Sequence, residues 1–259
     1  MVFAGGALIK SNPLEGKIAL VTGGSRGIGK AISLRLAEMG ASVCINYFKR
    51  RQAGEETLKL IQDNGGEGML LRANVGNQTS LQKMFESVKE TYGKLDIFIS
   101  NAALGMFGGI NEVDDKMWNL AMDVNAKAFL YGTQKALELM PDGGRIVALT
   151  SIGSSRYIPS YASIGASKAT IECLMRYMAV EFNPRNITCN AVSGGFIDTD
   201  ALRSFPIYDE ILQEVMRRSH SKRLGTPEDI AAVVCFLCTP ESRWVTGQVI
   251  TVDGGFTLM

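Results

Sequence analysis

The sequence is poor in the residues that metal centres and disulfide scaffolds need. It has a single histidine, His220, and five cysteines, Cys44, Cys173, Cys189, Cys235 and Cys238. An odd, scattered set of thiols is poor material for a disulfide framework and fits a reducing cytosol, so a cytoplasmic location is expected. Cys235-Phe-Leu-Cys238 has the spacing of a metal or redox pair. It lacks a second pair, however, and lies in the apolar helical run from Asp229 to Cys238, so core packing is expected and a metal site is not. An excess of one charge sign is lacking as well. With 27 basic and 26 acidic residues the net charge is +1, which argues against a nucleic-acid partner. No apolar run reaches the roughly eighteen residues of a membrane span. Residues 1–16 lack a long apolar stretch behind basic residues, so they read as a flexible lead-in and not as a signal peptide.

What is present is a long αβ alternation. At 259 residues and 46% apolar, the chain can bury one large core. Short β-branched runs occur at Ile18–Thr22, Ser42–Tyr47, Gly68–Arg72, Leu95–Ser100, Arg145–Thr150, Ile187–Val192 and Val249–Val252. Helical patterns fall between them at Gly27–Met39, Gly54–Asp63, Ser80–Tyr92, Asp115–Leu139, Tyr161–Phe182 and Pro227–Cys238. This alternation predicts an α/β fold, a seven-stranded parallel sheet of the doubly wound Rossmann type with helices on both faces. No linker or repeat divides it, so residues 17–259 form one expected domain. The main irregular insertion is Thr199–Gly225, with apolar Leu202, Phe205, Pro206, Ile207, Ile211, Leu212 and Met216. It reads either as a lid over a pocket at the strand carboxyl ends or as a surface helix packed on the core.

Thr22-Gly-Gly-Ser-Arg-Gly-Ile-Gly29 follows the first strand and opens a helix. Gly23 permits a tight turn, Gly27 lets backbone amides approach a pyrophosphate, and Gly29 permits close packing of helix on strand. The helix N-terminus then offers unpaired N–H groups to phosphate. Gly23, Ser25, Arg26, Gly27, Ile28 and Gly29 are therefore candidate cofactor contacts. The second strand ends in Asn46-Tyr-Phe-Lys-Arg-Arg51, without the carboxylate that would hold the ribose hydroxyls of NAD. Lys49, Arg50 and Arg51, with Arg26, instead suit a 2′-phosphate and point to NADPH, and Tyr47 is a further candidate cofactor contact. The alternative is that the cations only begin a solvated helix.

From about Lys17 onward the chain resembles the short-chain dehydrogenase/reductase family. The likeness is carried by the Thr22–Gly29 loop, Asn101-Ala-Ala103, Asn125, Ser151, Lys168, Asn190-Ala-Val192 and the Gly247–Gly255 stretch. Tyr161 stands seven residues before Lys168, whereas the common members carry their acid tyrosine four before it, where this chain has Ile164. Seven helical residues rise about 10.5 Å and four about 6 Å, and both offsets return to nearly one face. The Tyr161-x6-Lys168 spacing and the run Asn190–Leu202 resemble the type III, NADPH-preferring enoyl-acyl-carrier-protein reductases. Three departures stand out: Gly194 replaces a proline, Asn74 replaces an aspartate, and Asn101-Ala-Ala replaces Asn-Ala-Gly. Gly194 and Gly195 would loosen the backbone of that loop.

The resemblance implies NADPH-dependent reduction of a trans-2-enoyl thioester carried on acyl carrier protein or CoA, in fatty-acid or related acyl-chain synthesis. It implies Tyr161 as hydrogen-bond donor to the thioester oxygen and Lys168 on the nicotinamide ribose. Ser151 and Asn125 would assist, and Asn74, Val75, Asn101, Gly194, Ile197 and Thr199 would line the cofactor. A homotetramer is also implied. Tyr157 is the rival acid, eleven residues before Lys168. Leu104, Met106, Phe107 and Phe196 would make an apolar wall for an acyl chain. Arg217, Arg218, Lys222 and Arg223 would either meet an acidic carrier or form a solvated face. Two other functions stay open: carbonyl or β-ketoacyl reduction on the same fold, and a catalytically silent nucleotide-binding scaffold.

Overall fold

The computed structural model describes residues 12–205 and 207–258. Seven strands, β1 (Ile18–Val21), β2 (Ser42–Tyr47), β3 (Gly68–Arg72), β4 (Ile97–Ser100), β5 (Arg145–Ser151), β6 (Thr188–Gly194) and β7 (Val249–Val252), form one sheet. They pair in parallel throughout, in the order β3-β2-β1-β4-β5-β6-β7. The central strands are buried on both faces, as their continuous Val, Ile and Leu runs require. The chain reverses direction across the sheet between β1 and β4, which opens a crevice at their carboxyl ends.

Helices α1 (Gly27–Glu38), α2 (Arg51–Asp63) and α9 (Pro227–Leu237) cover one face. There Ile32, Leu36, Ile61, Ile230 and Val234 pack on Val43, Ile45 and Val147. Helices α3 (Gln78–Tyr92), α4 (Asp115–Ala121), α5 (Ala128–Leu139) and α6 (Ala162–Glu181) cover the other, with Phe85, Phe129, Ile171 and Met175 on Leu20, Phe98 and Ile146. Cys235 and Cys238 lie in the first of these cores, where burial pushes the Cys235 thiol up to about 12 and raises Cys238 well above its ordinary value.

Three expectations need correcting. The expected helix Asp115–Leu139 is broken by a π-helical turn, Met122–Lys127, between α4 and α5. Within the π turn Asn125 turns its amide to tertiary partners, Ser167 and the loop after β4, which a local sequence pattern does not contain. Gly194 and Gly195 do not use positive φ. A side chain at Gly195 would instead strike Asp253 at 2.7 Å, so close approach is what requires the glycine. Of the expected lead-in, residues 1–11 lie outside the described residues, while Leu14 is 1% exposed and its N–H bonds Met39 O at 2.9 Å.

The Thr199–Gly225 insertion contains α7 (Asp200–Arg203) and α8 (Tyr208–Arg218). Leu202, Ile211 and Val215 pack on Ile152 and Phe256 in a small separate core beside the carboxyl ends of β5 and β6. Pro206 lies outside the described residues.

Candidate active site

The glycine loop leaves β1 at Thr22 and is braced by side chains from neighbouring strands. The Thr22 hydroxyl accepts from the N–H groups of Asn101 (2.9 Å) and Ala102 (3.0 Å), while Asn101 Nδ2 donates to Thr22 O at 2.8 Å. Asn46 Oδ1 accepts from Gly23 N at 3.1 Å, and Asn46 Nδ2 donates to Leu71 O and Ala73 O. Gly23 and Gly27 have φ of 63° and 51°, a region glycine enters without strain. A Cβ on Gly29 would run into Gly23 O and sit 2.6 Å from Asn101 Nδ2, so Gly29 sets the closeness of helix and loop.

These residues fit a dinucleotide phosphate. No side chain caps α1, its first turn holds no acid, and space beside Gly27 is bounded only by the Thr199 methyl at 3.6 Å. The amides there face a space that a pyrophosphate would fill. Ser25 and Ile28 complete the loop; the Ser25 carbonyl accepts from Thr57 Oγ1 at 3.1 Å. Asn74 Oδ1 accepts from Gly76 N at 3.2 Å, beside buried Val75. Tyr47 is buried against Gly54, whereas Lys49 is exposed, 5.9 Å from the centroid of the Phe48 ring. Arg26 and Arg50 both reach toward Asp200 at the start of α7. Thr199 caps α7 by accepting from Leu202 N at 3.3 Å. Gly194 ends β6, and Ile197 is buried against Gly225 and Ile230.

Beyond the carboxyl end of β5, the catalytic candidates converge. Ser160 takes a left-handed backbone, φ 59°, and its carbonyl accepts from Gly108 N at 2.9 Å. This sharp turn brings Tyr161 to the mouth of α6, with its ring against Gly153. The Tyr161 hydroxyl lies near Ser151, and burial raises its pKa above the ordinary phenol value, with Ser151 opposing the shift. Phe107 and Phe205 lie over the ring at centroid distances of 6.4 and 5.9 Å. Together they set apolar surface against the Tyr161 ring. Tyr157, the rival acid, is 88% exposed. Ile164 is buried and packs against Gly105, where a Cβ would collide with its side chain.

Lys168 projects toward β5 and donates to Leu149 O at 2.8 Å. Burial lowers its pKa to about 8, while Glu172 pulls in the opposite direction. Glu172, one turn along α6, accepts a 2.7 Å hydrogen bond from Thr150 Oγ1. The sequence reading missed this carboxylate, although its i+4 spacing from Lys168 is visible in the chain. Asn125 does not touch Lys168 directly. Its Nδ2 donates to Ser167 Oγ at 2.8 Å and its Oδ1 accepts from Leu104 N at 2.9 Å, so it ties α6 to the loop after β4. Ser167 was also missed; only the fold places it opposite the π turn.

Of the expected apolar wall, Leu104 and Met106 are exposed, and Phe196 instead packs edge-on to Phe256. The basic residues at the end of α8 are engaged within the chain. Arg217 and Arg218 pair with Glu214, Arg223 pairs with Asp229, and Lys222 Nζ donates to Arg217 O.

The sequence matches the family model described as enoyl-(acyl carrier protein) reductase over residues 23–257. It is 39% identical over 245 residues to 1-cyclohexenylcarbonyl-CoA reductase of Streptomyces collinus, covering 94% of this chain and 88% of that protein. Among solved structures it is similar to angucycline C-6 ketoreductase LanV with bound NADP, at a TM-score of 0.89 and 34% identity, covering 96% of this chain and 99% of the other. It is likewise similar to a short-chain dehydrogenase from Burkholderia cenocepacia in complex with NADP, at a TM-score of 0.88 and 33% identity over 95% of this chain and 100% of the other.

Proposed function

Because the chain belongs to the short-chain dehydrogenase/reductase family, we propose that it is an NADPH-dependent reductase of the carbon–carbon double bond in trans-2-enoyl thioesters. The observation that carries this reading is the placement of the acid. Tyr161 stands one turn before the usual position, and Ile164 fills that position with buried hydrocarbon packed on Gly105. A donor set back from the hydride acceptor suits an oxygen two atoms further along the substrate. The Streptomyces collinus relative is a reductase whose name carries a ring double bond beside a CoA thioester, which supports the same class of substrate.

NADPH, when bound, supplies the hydride. The solved relatives holding NADP support this choice of nucleotide, as do Arg26 and Arg50 at the adenosine end of the site. Arg26, Gly27, Ile28 and Gly29 would hold the phosphates, and Asn74, Val75 and Asn101 would line the rest of the cofactor site. Tyr161 donates a hydrogen bond to the thioester oxygen and stabilises the enolate charge that gathers there as hydride reaches the β-carbon; the α-carbon then takes a proton from Tyr161 or from solvent, which completes the reduction. Its raised pKa keeps it a neutral donor. Ser151 orients that hydroxyl. Lys168 binds the ribose hydroxyls, and its positive charge favours the anionic state of the substrate. Glu172 favours the charged form of Lys168, and Asn125 fixes α6 through Ser167. Phe107 and Phe205 exclude water from the oxygen that Tyr161 serves.

The substrate is carried on CoA or on acyl carrier protein, in acyl-chain synthesis. Trp118, Tyr177 and Val180 remain exposed on α4 and α6 and suit burial between copies, in keeping with a homotetramer. The five unpaired cysteines suit the cytoplasm. A second reading, carbonyl reduction, draws on the nearness of Tyr161 and Ser151, since two adjacent hydroxyls can hold one carbonyl oxygen. The structural relative named as a ketoreductase favours it too. Nucleotide oxidation by the purified enzyme, measured with trans-2-enoyl-CoA and with 3-ketoacyl-CoA and using NADPH and NADH in turn, tests the proposal. Turnover with the enoyl thioester and NADPH supports it. Turnover with the keto substrate alone overturns it in favour of the second reading.

A further inference from the structure

The cations expected at the adenosine end of the site do not share one fate. Arg51 is held by Glu55 on its own helix at 2.7 Å, and Lys49 lies near the Phe48 ring. Arg26 and Arg50 are held by a carboxylate from another part of the chain. Asp200 Oδ2 accepts from Arg26 Nη1 at 3.1 Å and lies 3.5 Å from Arg50 Nη1. Arg26 belongs to the loop after β1, Arg50 to the loop after β2, and Asp200 to the first turn of the insertion after β6. The contact spans 174 residues of sequence. The preceding residue, Thr199, already borders the space beside Gly27. The root of the insertion therefore crosses the mouth of the phosphate loop and places one anionic oxygen between two guanidinium groups. That is the arrangement a phosphate oxygen would adopt there.

We propose that Asp200 is an internal stand-in for the cofactor's 2′-phosphate. It occupies Arg26 and Arg50 in the nucleotide-free enzyme and gives them up when a 2′-phosphorylated nucleotide binds. Binding thereby unties the first turn of the Thr199–Gly225 insertion. This rests on the NADPH reading above. The phosphate carries more charge than the carboxylate and offers three acceptor oxygens, so it displaces Asp200 from both arginines. A nucleotide without the 2′-phosphate leaves the Asp200 pairs intact. Asp200 is thus both a specificity residue and the link between cofactor arrival and the segment that carries Phe205 over Tyr161.

The test uses the full chain, wild type and Asp200→Asn, with adenosine 2′,5′-bisphosphate and 5′-AMP as probes that lack the nicotinamide. Calorimetry gives affinity, and amide hydrogen exchange over Ala201–Phe205 reports the first turn. All three groups are largely exposed, so their pairs are weak, and Asp200→Asn is expected to bind the bisphosphate roughly three- to tenfold more tightly. Its affinity for 5′-AMP is expected to stay unchanged. The bisphosphate, and not 5′-AMP, raises exchange in the wild type, and Asp200→Asn shows the raised exchange without ligand. Because Asp200 also sits in the first turn of α7, Arg50→Gln provides a variant that leaves it in place; it too shows raised exchange without ligand. Equal bisphosphate affinity in wild type and Asp200→Asn, or unliganded Arg50→Gln exchange matching wild type, overturns the proposal. A wild type that binds both probes equally instead overturns the NADPH reading on which it stands.

Discussion

Replacing Tyr161 by phenylalanine removes one oxygen and leaves the ring that Phe107, Phe205 and Gly153 surround. The fold has little reason to respond. Ser151 keeps a hydrogen bond from Gly153 N at 3.2 Å, so no buried group is orphaned, and a lost neutral hydrogen bond costs about 0.5–1.5 kcal/mol. Catalysis has much more to lose. The hydroxyl belongs to a half-buried side chain beside Phe107 and Phe205, burial raises its pKa, and such a donor acts where charge develops. Removing one donor of this kind lowers turnover by about 10²–10³-fold, or roughly 2.7–4 kcal/mol of barrier. The assay is NADPH oxidation with an enoyl thioester, alongside NADPH affinity from nucleotide fluorescence and a thermal melt. The expected result is a large fall in kcat with affinity and melting nearly unchanged. A variant within about threefold of wild type in kcat would refute the assignment of Tyr161 as the donor.

Other expectations follow from the same geometry. Lys168 has its pKa lowered to about 8, so it is charged below that pH and loses its proton as pH rises through it; kcat/KM for the free enzyme is expected to fall on that alkaline limb. Glu172→Gln removes the group that opposes the shift, and the limb should move to lower pH, as a rate–pH profile would reveal. Gly153→Ala would put a methyl 2.5 Å from the Tyr161 ring, so kcat should fall while NADPH binding, read by fluorescence, persists. Gly29→Ala would drive a methyl into Gly23 O and is expected to abolish nucleotide binding and lower the melting temperature.

The central strands were readable because burial on both faces demands continuous apolar runs, as in β1, β4 and β5, and the partly exposed edge strands β3 and β7 also fall on short apolar runs. The glycine loop was readable because each glycine answers a backbone need that local sequence expresses. The π turn was not, since it depends on Asn125 finding Ser167 and Leu104 across the fold. Glycine at position 195 was attributed to backbone freedom when the neighbouring Asp253 was the cause, and no local pattern contains that neighbour. Leu14 looked like part of a loose terminus because its partner, Met39, lies beyond an intervening strand and helix. Tyr161 and Lys168 stand out in the sequence by their spacing, but the contacts of Phe205 with Tyr161 and Phe107 needed the folded insertion. Asp200 was invisible for the same reason.

The central claim is that a donor one turn early serves conjugate reduction and not carbonyl reduction. It is tested most directly by competition: trans-2-enoyl-CoA and 3-ketoacyl-CoA of equal chain length, mixed in equal amounts, with NADPH deuterated at the transferring position. Mass spectrometry of the products reads the ratio of the two kcat/KM values in one vessel. Saturated acyl-CoA carrying deuterium on the β-carbon is the expected dominant product. Dominant 3-hydroxyacyl-CoA would contradict it.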